Sequence, residues 1–428
     1  MKPCPTRRSP ERLAVWARAL AAGSIALTAM PACAGTDYAR DVDIRDSAGV
    51  IIATNHPSDS VDVSEVWTAT EDLRIGATDG DDSITFGQVG EVAVDGAGNI
   101  YVLDRQARRV KVYDPDGAFL RFIGRAGEGP GELSRFPNGL MIRDDTALVV
   151  ADYMRARVSI FDLEGGLLAT IPVPARPLGM SWTLDDSGDL VYRAQTIGRG
   201  DGGGFSFWDA IVKMDVEAPG ALDTLLVMDY PATDLGGPGT LRVPLIVNSP
   251  FWDRLDDGRI AWSSLDRDEV RVHAPDGRLV LIVRSDAWRK RVASRADGET
   301  LRELLRMKLT ALGGVVEAAD GPGVVFPDSF PSITAVRAGP ANTIWVQRMG
   351  SVEAIDPVAV NAPGPAEAFG GGTWDVFDAE GAFVGVVRMP LRFRTMEVTS
   401  DGVYGVLRDE MDVQRVIRLR LDRSEGMF

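Results

Sequence analysis

One pattern is written twice between Glu91 and Val173, and it constrains the fold more than any other feature of the chain. The first copy reads Val92-Ala93-Val94-Asp95, Gly98-Asn99-Ile100-Tyr101-Val102-Leu103-Asp104, Val110-Lys111-Val112-Tyr113-Asp114 with Gly117, and Phe119-Leu120-Arg121-Phe122. The second reads Leu140-Met141-Ile142, Leu148-Val149-Val150-Ala151-Asp152, Val158-Ser159-Ile160-Phe161-Asp162 with Gly165, and Leu167-Leu168-Ala169-Thr170-Ile171. Asp104 corresponds to Asp152 and Gly117 to Gly165, an offset of 48 residues in both cases. Each copy holds four short runs rich in Val, Ile, Tyr and Phe, separated by Asp/Gly turns. Four-strand units recurring at roughly 40–50 residues have the period of propeller blades.

Weaker copies follow. A turn leading into alternating apolar residues, the mark of the second strand, recurs at Asp185–Tyr192, Asp257–Trp262, Asn342–Val346 and Asp401–Val406. With the first two copies that makes six units. Val270–Gly277 and Trp374–Gly381 repeat the third strand and its turn. The expectation is an all-β fold, a six-bladed β-propeller of four-stranded antiparallel blades. Each such sheet has two apolar faces that only neighbouring blades cover, so the ring must close. Glu65-Val66-Trp67 and Leu73–Gly76 read as strands lying before the first full unit, available to complete the last blade from the opposite end. Gly49–Ala53 reads either as a strand or as part of a tether.

Three stretches break the period. Residues 285–312 read as a helical insertion between blades 4 and 5, because Leu301, Leu304, Leu305, Leu309 and Leu312 share one helical face. Asp297 or Gly298 is the expected start and Gly313-Gly314 the expected end. The insertion packs on the rim or covers the channel. Gly198–Gly204 reads as a loop, and no Gly-Lys-Ser/Thr follows it to make a phosphate cradle. Val358–Gly372, rich in Ala, Pro and Gly, reads as a surface loop inside blade 5.

The first residues read differently. Lys2, Arg7, Arg8, Arg12 and Arg18 form a basic head before Ala19–Met30, a mostly apolar run too short to span a bilayer. Residues 1–32 are therefore assigned as a signal peptide, 33–60 as a tether and 61–428 as the propeller. Pro31-Ala32-Cys33 resembles a bacterial lipobox, with Met30 and Pro31 replacing the usual Leu and small polar residue. That resemblance implies lipidation at Cys33, with simple cleavage as the alternative. The expected location is the bacterial cell envelope, lipid-anchored or periplasmic or secreted, with membrane contact only through the anchor. Cys4 and Cys33 are the only cysteines, so the body offers neither a disulfide nor a thiol nucleophile. Without residues 1–32 the formal charge falls from −16 to −20. So acidic a body excludes nucleic acid as a partner.

At Gly98–Asp104, Arg109–Tyr113 and Gly117 the sequence resembles the NHL repeat. Gly124-Arg125-Ala126-Gly127-Glu128-Gly129-Pro130-Gly131-Glu132-Leu133 followed by Phe136-Pro137 is similar to a variant found in bacterial six-bladed propeller lipoproteins. The resemblance is strong over 90–173 and fainter elsewhere. It implies a six-bladed ring and an exported protein, and no single chemistry, since such rings carry lyases, lactonases and binding modules alike.

The residue inventory narrows the chemistry. His56 and His273 are the only histidines, too few for a His-ligated zinc site. His273 stands where Tyr113 and Phe161 stand in other copies and reads as a packing residue. Asp104, Asp152, Asp114 and Asp162 end strands and read as turn caps. No cofactor is expected, with Ca²⁺ held by channel carboxylates as a possibility borrowed from six-bladed sugar-lactone hydrolases. Trp208, Phe251 and Trp252, the last two with Arg254, are the aromatics expected to reach the channel.

The most informative pattern is arginine in every connection between second and third strands: Arg105 and Arg108, Arg155, Arg193, Arg267, Arg348 and Arg408. In a propeller these connections emerge on one face. They form either an anion-binding face or a set of pairs with local carboxylates. Arg109 and Arg157, at the arginine position of the NHL repeat, favour pairing. The functional expectation is a non-enzymatic propeller binding a small anionic ligand or an envelope protein through one face. The alternative is a hydrolase or lyase using channel carboxylates.

Overall fold

The computed structural model describes residues 41–57, 66–174, 177–199, 205–231, 236–237, 240–241, 243–244, 248–311, 319–321, 324–352, 355 and 369–422. The signal peptide, Cys33, 200–204 and 358–368 lie outside the described residues. Residues 39–428 form one compact unit.

Alternating apolar residues make the strands, and the Asp/Gly clusters turn them. The fold is a six-bladed β-propeller. From the channel outward, blade 1 is Val89–Val94, Ile100–Asp104, Arg109–Tyr113 and Phe119–Ile123. Blade 2 is Pro137–Arg143, Ala147–Asp152, Arg157–Asp162 and Leu167–Pro172; blade 3 is Pro177–Leu184, Leu190–Arg199, Phe205–Met214 and Asp223–Met228. Blade 4 is Pro250–Arg254, Ile260–Ser264, Glu269–His273 and Leu279–Ser285. Blade 5 is Ile333–Gly339, Thr343–Met349, Gly370–Phe377 and Phe383–Arg388. The chain ends with three strands of blade 6: Phe393–Val398, Val403–Arg408 and Gln414–Asp422.

The missing outer strand of blade 6 comes from the start of the chain. Strand β3 (Val66–Ile75) pairs antiparallel with the last strand, from Thr68↔Asp422 to Ile75↔Val416. It also pairs parallel with the outer strand of blade 5 over Val66↔Val386 to Thr68↔Arg388, fusing two blades into one sheet. The two runs read from sequence as separate strands are thus one. Asp72 on β3 meets Arg418 and Arg420 at 2.9 Å each, lacing the closure with ion pairs.

The core is divided among the blade interfaces. Successive strand residues point to opposite sheet faces, so each blade serves two neighbours. Leu148 and Val150 of blade 2 pack with Tyr101, Leu103 and Val112 of blade 1. Val149 and Ala151 pack instead with Tyr192, Val212 and Met214 of blade 3. Comparable clusters fill the interfaces of blades 3 and 4, 4 and 5, 5 and 6, and 6 and 1. Burying each such side chain contributes roughly 1.5–3 kcal/mol, and only the closed circle buries both faces of every blade.

The Asp/Gly turn between third and fourth strands has a packing reason. Asp114 Oδ1 accepts the N–H groups of Asp116 and Ala118 at 3.0 and 2.8 Å, and Asp378 repeats this with Glu380 and Ala382. Gly117, Gly165, Gly277 and Gly381 all have φ between 82° and 102°. A Cβ on Gly117 would meet Leu73 of β3 at 3.0 Å, and one on Gly277 the Leu225 carbonyl of blade 3 at 2.5 Å. The turn of each of these blades therefore presses on the outer strand of the blade before it.

The run at 49–53 is strand rather than tether. Strands β1 (Val42–Ser47) and β2 (Val50–Asn55) form a hairpin, and β2 extends blade 4 by pairing parallel with Leu281–Ser285. Asn55, buried, donates to the carbonyls of Arg284 and Gly381 at 3.0 and 2.9 Å and accepts from the Phe383 N–H at 2.7 Å. It pins the hairpin to blade 5.

Helix α1 (Arg295–Ala311) lies between blades 4 and 5, inside the insertion expected over 285–312 and starting two residues before the expected Asp297; Leu279–Ser285 finishes blade 4, and the expected end at Gly313-Gly314 lies outside the described residues. Ser294 and Asp297 form a reciprocal cap: Ser294 N–H donates to Asp297 Oδ2 at 2.7 Å and Asp297 N–H to Ser294 Oγ at 3.2 Å. Leu301 and Leu304 pack on Phe330, Val352 and Ile355. In blade 3, Gly198 and Arg199 are strand, paired up to Arg199↔Phe205, because the hairpin runs longer than its glycines suggested.

Candidate functional site

The innermost strands meet in circular order, the sixth against the first, around a central channel. Each inner strand has one edge paired and one facing this channel, so its residues there decide what the channel holds. Toward the face formed by the turns between first and second strands, the channel widens into a cavity of about 650 Å³ lined by all six inner strands.

Apolar and acidic side chains share the wall. Blades 2 and 3 supply Leu140, Met141, Ile142, Trp182 and Leu184. Blades 4, 5, 6 and 1 supply Asp253, Arg337, Glu397 and Glu91 in ring order, with Asp144, Asp145 and Asp256 from turns at the mouth. Trp182 stacks on Tyr192 with ring centroids 4.9 Å apart. Gly139 gives the indole room, since a Cβ there would sit 2.8 Å from its Cδ1.

The carboxylates differ in environment. Burial pushes Glu397 up to about 8, opposed by the Val94 N–H and reinforced by the negative charges of Asp401, Asp253 and Glu91. Its Oε2 is shut off from solvent without a hydrogen-bond partner. Asp253 is also raised by burial, opposed by Arg337 and by the N–H groups of Ala338 and Arg254, which donate to it at 3.0 and 2.8 Å. Burial lowers the Arg105 guanidinium, and the charge of Glu91 opposes that shift. A carboxyl group that burial keeps protonated near neutral pH thus stands among other acidic side chains in the channel. Among the described residues no three His, Cys, Asp or Glu side chains are grouped to hold a metal ion.

The arginines expected to make an anion site sit at or near the connections on the opposite face, and six of the seven meet a local group. Arg105 Nε donates to the Pro137 carbonyl of blade 2 at 3.0 Å, and Arg193 Nη1 to the Pro250 carbonyl of blade 4 at 2.7 Å. Arg394, which the sequence did not single out, donates to the Val89 and Gly90 carbonyls of blade 1. All three stitch one blade to the next through carbonyls where an inner strand begins. Arg348 makes a two-pronged pair with Asp375 at 2.5 and 2.8 Å, and Trp288 donates to the same carboxylate. Arg408 pairs with Asp412 at 3.1 Å, Arg155 with Glu128, and Arg267 donates to the Asp229 carbonyl while lying over Trp262. Arg108 adopts φ 55° in the turn. One face gathers the set, but its members meet neighbouring groups rather than one another.

Other expectations resolve individually. Asp104 accepts the N–H groups of Gly87, Gln88, Gln106 and Ala107 and pairs with buried Lys111 at 3.0 Å; Asp152 holds Ser134. Both work as caps. His273 is buried, with Nδ1 2.9 Å from the Gly277 carbonyl. His56 bridges Asp286 and Asp43 at 2.7 and 3.3 Å. Phe251 and Trp252 are core residues of the interfaces with blades 5 and 3 and do not line the cavity; Asp253, the next residue, does. The side chain of Trp208 lies outside the described residues. The signal that would have found the channel wall is a charged or aromatic residue inside an otherwise apolar first strand: Glu91, Trp182, Asp253, Glu397.

The profile of a family described as 6-bladed beta-propeller matches residues 78–210. No curated protein matches the sequence. Among solved structures, a Bacteroides fragilis protein described as exported is 12% identical with a TM-score of 0.50, covering 87% of this chain and 99% of its own. A DUF4221 family member from Bacteroides vulgatus is 9% identical, with a TM-score of 0.42 and coverage of 90% and 99%. Virginiamycin B lyase from Staphylococcus aureus is 10% identical, with a TM-score of 0.39 and coverage of 79% and 97%. At these identities the likeness is one of fold.

Proposed function

We propose that this chain is a non-enzymatic binding propeller of the bacterial envelope, taking a small ligand into the channel through the face bearing the turns between first and second strands. The observation that carries the reading is the cavity of about 650 Å³ walled by the inner strands of six blades, its lining mixing apolar side chains with six carboxyl groups and one guanidinium. Such a volume is within the range of small-molecule sites, which pair apolar walls with a few polar groups. The arginine face supports binding less well, because most of its guanidinium groups already hold a carboxylate or a carbonyl. Export and an acyl anchor at Cys33 belong to the same proposal, on the strength of the basic head and apolar run of residues 1–32. Acyl incorporation in a bacterial host, abolished by Cys33→Ser, is the expected result for the anchor.

The binding reading is tested by a thermal-shift screen of small molecules against wild type and Thr183→Trp, whose new indole intrudes into the cavity beside Trp182. Hits that raise the wild-type midpoint and leave Thr183→Trp unmoved are expected. Hits that act equally on both proteins place binding elsewhere and refute it. A second reading, a hydrolase or lyase, draws on Glu397 as a carboxylic acid near neutral pH beside the carboxyl groups of Asp253 and Glu91. It predicts that any hit is turned over and that Glu397→Gln stops turnover while sparing binding.

A further inference from the structure

Resting on the channel reading above, we propose that the ligand is a small organic cation with an apolar body, its charged head among Glu397, Asp253 and Glu91 and its body against Trp182 and Met141. The positions are set by the ring. Blade 6 stands opposite blade 3 and blade 1 opposite blade 4, so Glu397 faces Trp182 across the cavity and Glu91 faces Asp253. Carboxyl groups and an indole thus face one void. A metal ion does not suit this spacing: among the described residues no three carboxylates are grouped tightly enough to ligate one. A larger cation touching separate carboxylates does.

Charge and satisfaction point the same way. Six carboxyl side chains line the cavity against one guanidinium, Arg337, which is engaged with Asp253. An anion entering the mouth would meet repulsion from several sides. Glu397 Oε2 is shut off from solvent and has no hydrogen-bond partner, so its carboxyl group is incompletely satisfied and its ionised form gains from a positive charge placed nearby in the cavity. Trp182, braced by Tyr192 on one side and seated over Gly139, presents a fixed aromatic surface of the kind that attracts ammonium groups and packs apolar bodies.

The reading carries a pH signature. Glu397 is faced by Glu91 from blade 1, Asp253 from blade 4 and Asp401 beyond its own strand, with Arg337 of blade 5 on the same wall. A bound cation favours ionised Glu397, so affinity rises with pH through about 8, where burial has placed this group. One linked proton gives up to ~10-fold tighter binding per pH unit below that value.

Calorimetric titration of the mature protein tests this with three probes of similar size: phenyltrimethylammonium, benzyl alcohol and benzoate. The quaternary cation keeps its charge at every pH, so only the protein titrates. Binding of the cation at least ~10-fold tighter at pH 8.5 than at pH 6.5, and lost in Thr183→Trp, is expected. Glu397→Gln, which preserves shape, is expected to flatten the pH dependence, and Trp182→Leu to weaken binding several-fold at both pH values. If benzoate or benzyl alcohol binds more tightly than the cation and Thr183→Trp abolishes it, the channel reading stands and the cation assignment is overturned. If the cation fails to bind the wild type, or binds it and Thr183→Trp alike, the assignment is overturned as well.

Discussion

Glu397→Gln isolates the cost of keeping a carboxyl group in the channel. Burial, with the charges of Asp401, Asp253 and Glu91, moves this group from its ordinary 4.5 to about 8. An acid raised on folding is bound to its proton more tightly by the folded state. Its effect on stability is therefore absent below pH 4.5, where both states are protonated, and grows unfavourable as pH rises to about 8. Each unit of difference corresponds to about 1.4 kcal/mol, so the full window amounts to at most about 5 kcal/mol. Water in the cavity reduces this to roughly 3 kcal/mol or somewhat more. Urea denaturation followed by circular dichroism at pH 5 to 9 reads the difference. The wild type should lose about 3–5 kcal/mol relative to Glu397→Gln between pH 5 and 9, with the two proteins converging at the acid end. Curves that stay parallel across this range would refute the burial argument. Comparing the two proteins cancels the other titrating groups, including His56, whose pKa is raised by its hydrogen bond to Asp286.

Three other substitutions test how the ring is held. Asn55→Ala strands two carbonyls and one N–H at the junction of blades 4 and 5, and should cost roughly 2–4 kcal/mol by denaturation. Gly381→Val places a Cβ 3.0 Å from Val283 and 3.2 Å from Ala53 at φ 86°, and should cost roughly 2–4 kcal/mol; Gly298→Ala in helix α1, where nothing lies within 4 Å, should stabilise by up to ~1 kcal/mol. Asp72→Ala removes the partner of Arg418 and Arg420, and should speed hydrogen exchange along β3 and the final strand before any other blade, with about 1 kcal/mol lost overall.

The fold was legible because its period is carried by the most demanding positions. Gly117 and Gly165 need both φ > 0 and the absence of a Cβ, and Asp114 and Asp162 hold the turns they begin, so these residues mark the repeat even where strands diverge. The closing strand β3 was visible as apolar runs ahead of the first unit. The hairpin of β1 and β2 was ambiguous, because a strand added to a sheet's outer edge needs only one apolar stretch, here Val50–Ala53. The site was largely illegible. Arginine counts per loop were readable, but whether Arg348 meets Asp375 or an incoming anion depends on distances between strands. Glu91 and Glu397 sit on first strands whose pairing shifts register between Val89 and Val92 and between Thr395 and Glu397, which blurs the alternation, and Asp253 follows two core aromatics. Phe251 and Trp252 looked like channel residues and are core, since successive residues of a blade's strand point into its two neighbouring interfaces.

The most direct measurement is a crystal structure of the mature protein soaked with phenyltrimethylammonium at pH 8.5. The account predicts six blades closed by β3, with the cation's head within contact distance of the Glu397 and Asp253 carboxylates and its ring on Trp182. An empty channel, with the cation bound on the outer surface or absent, would contradict it.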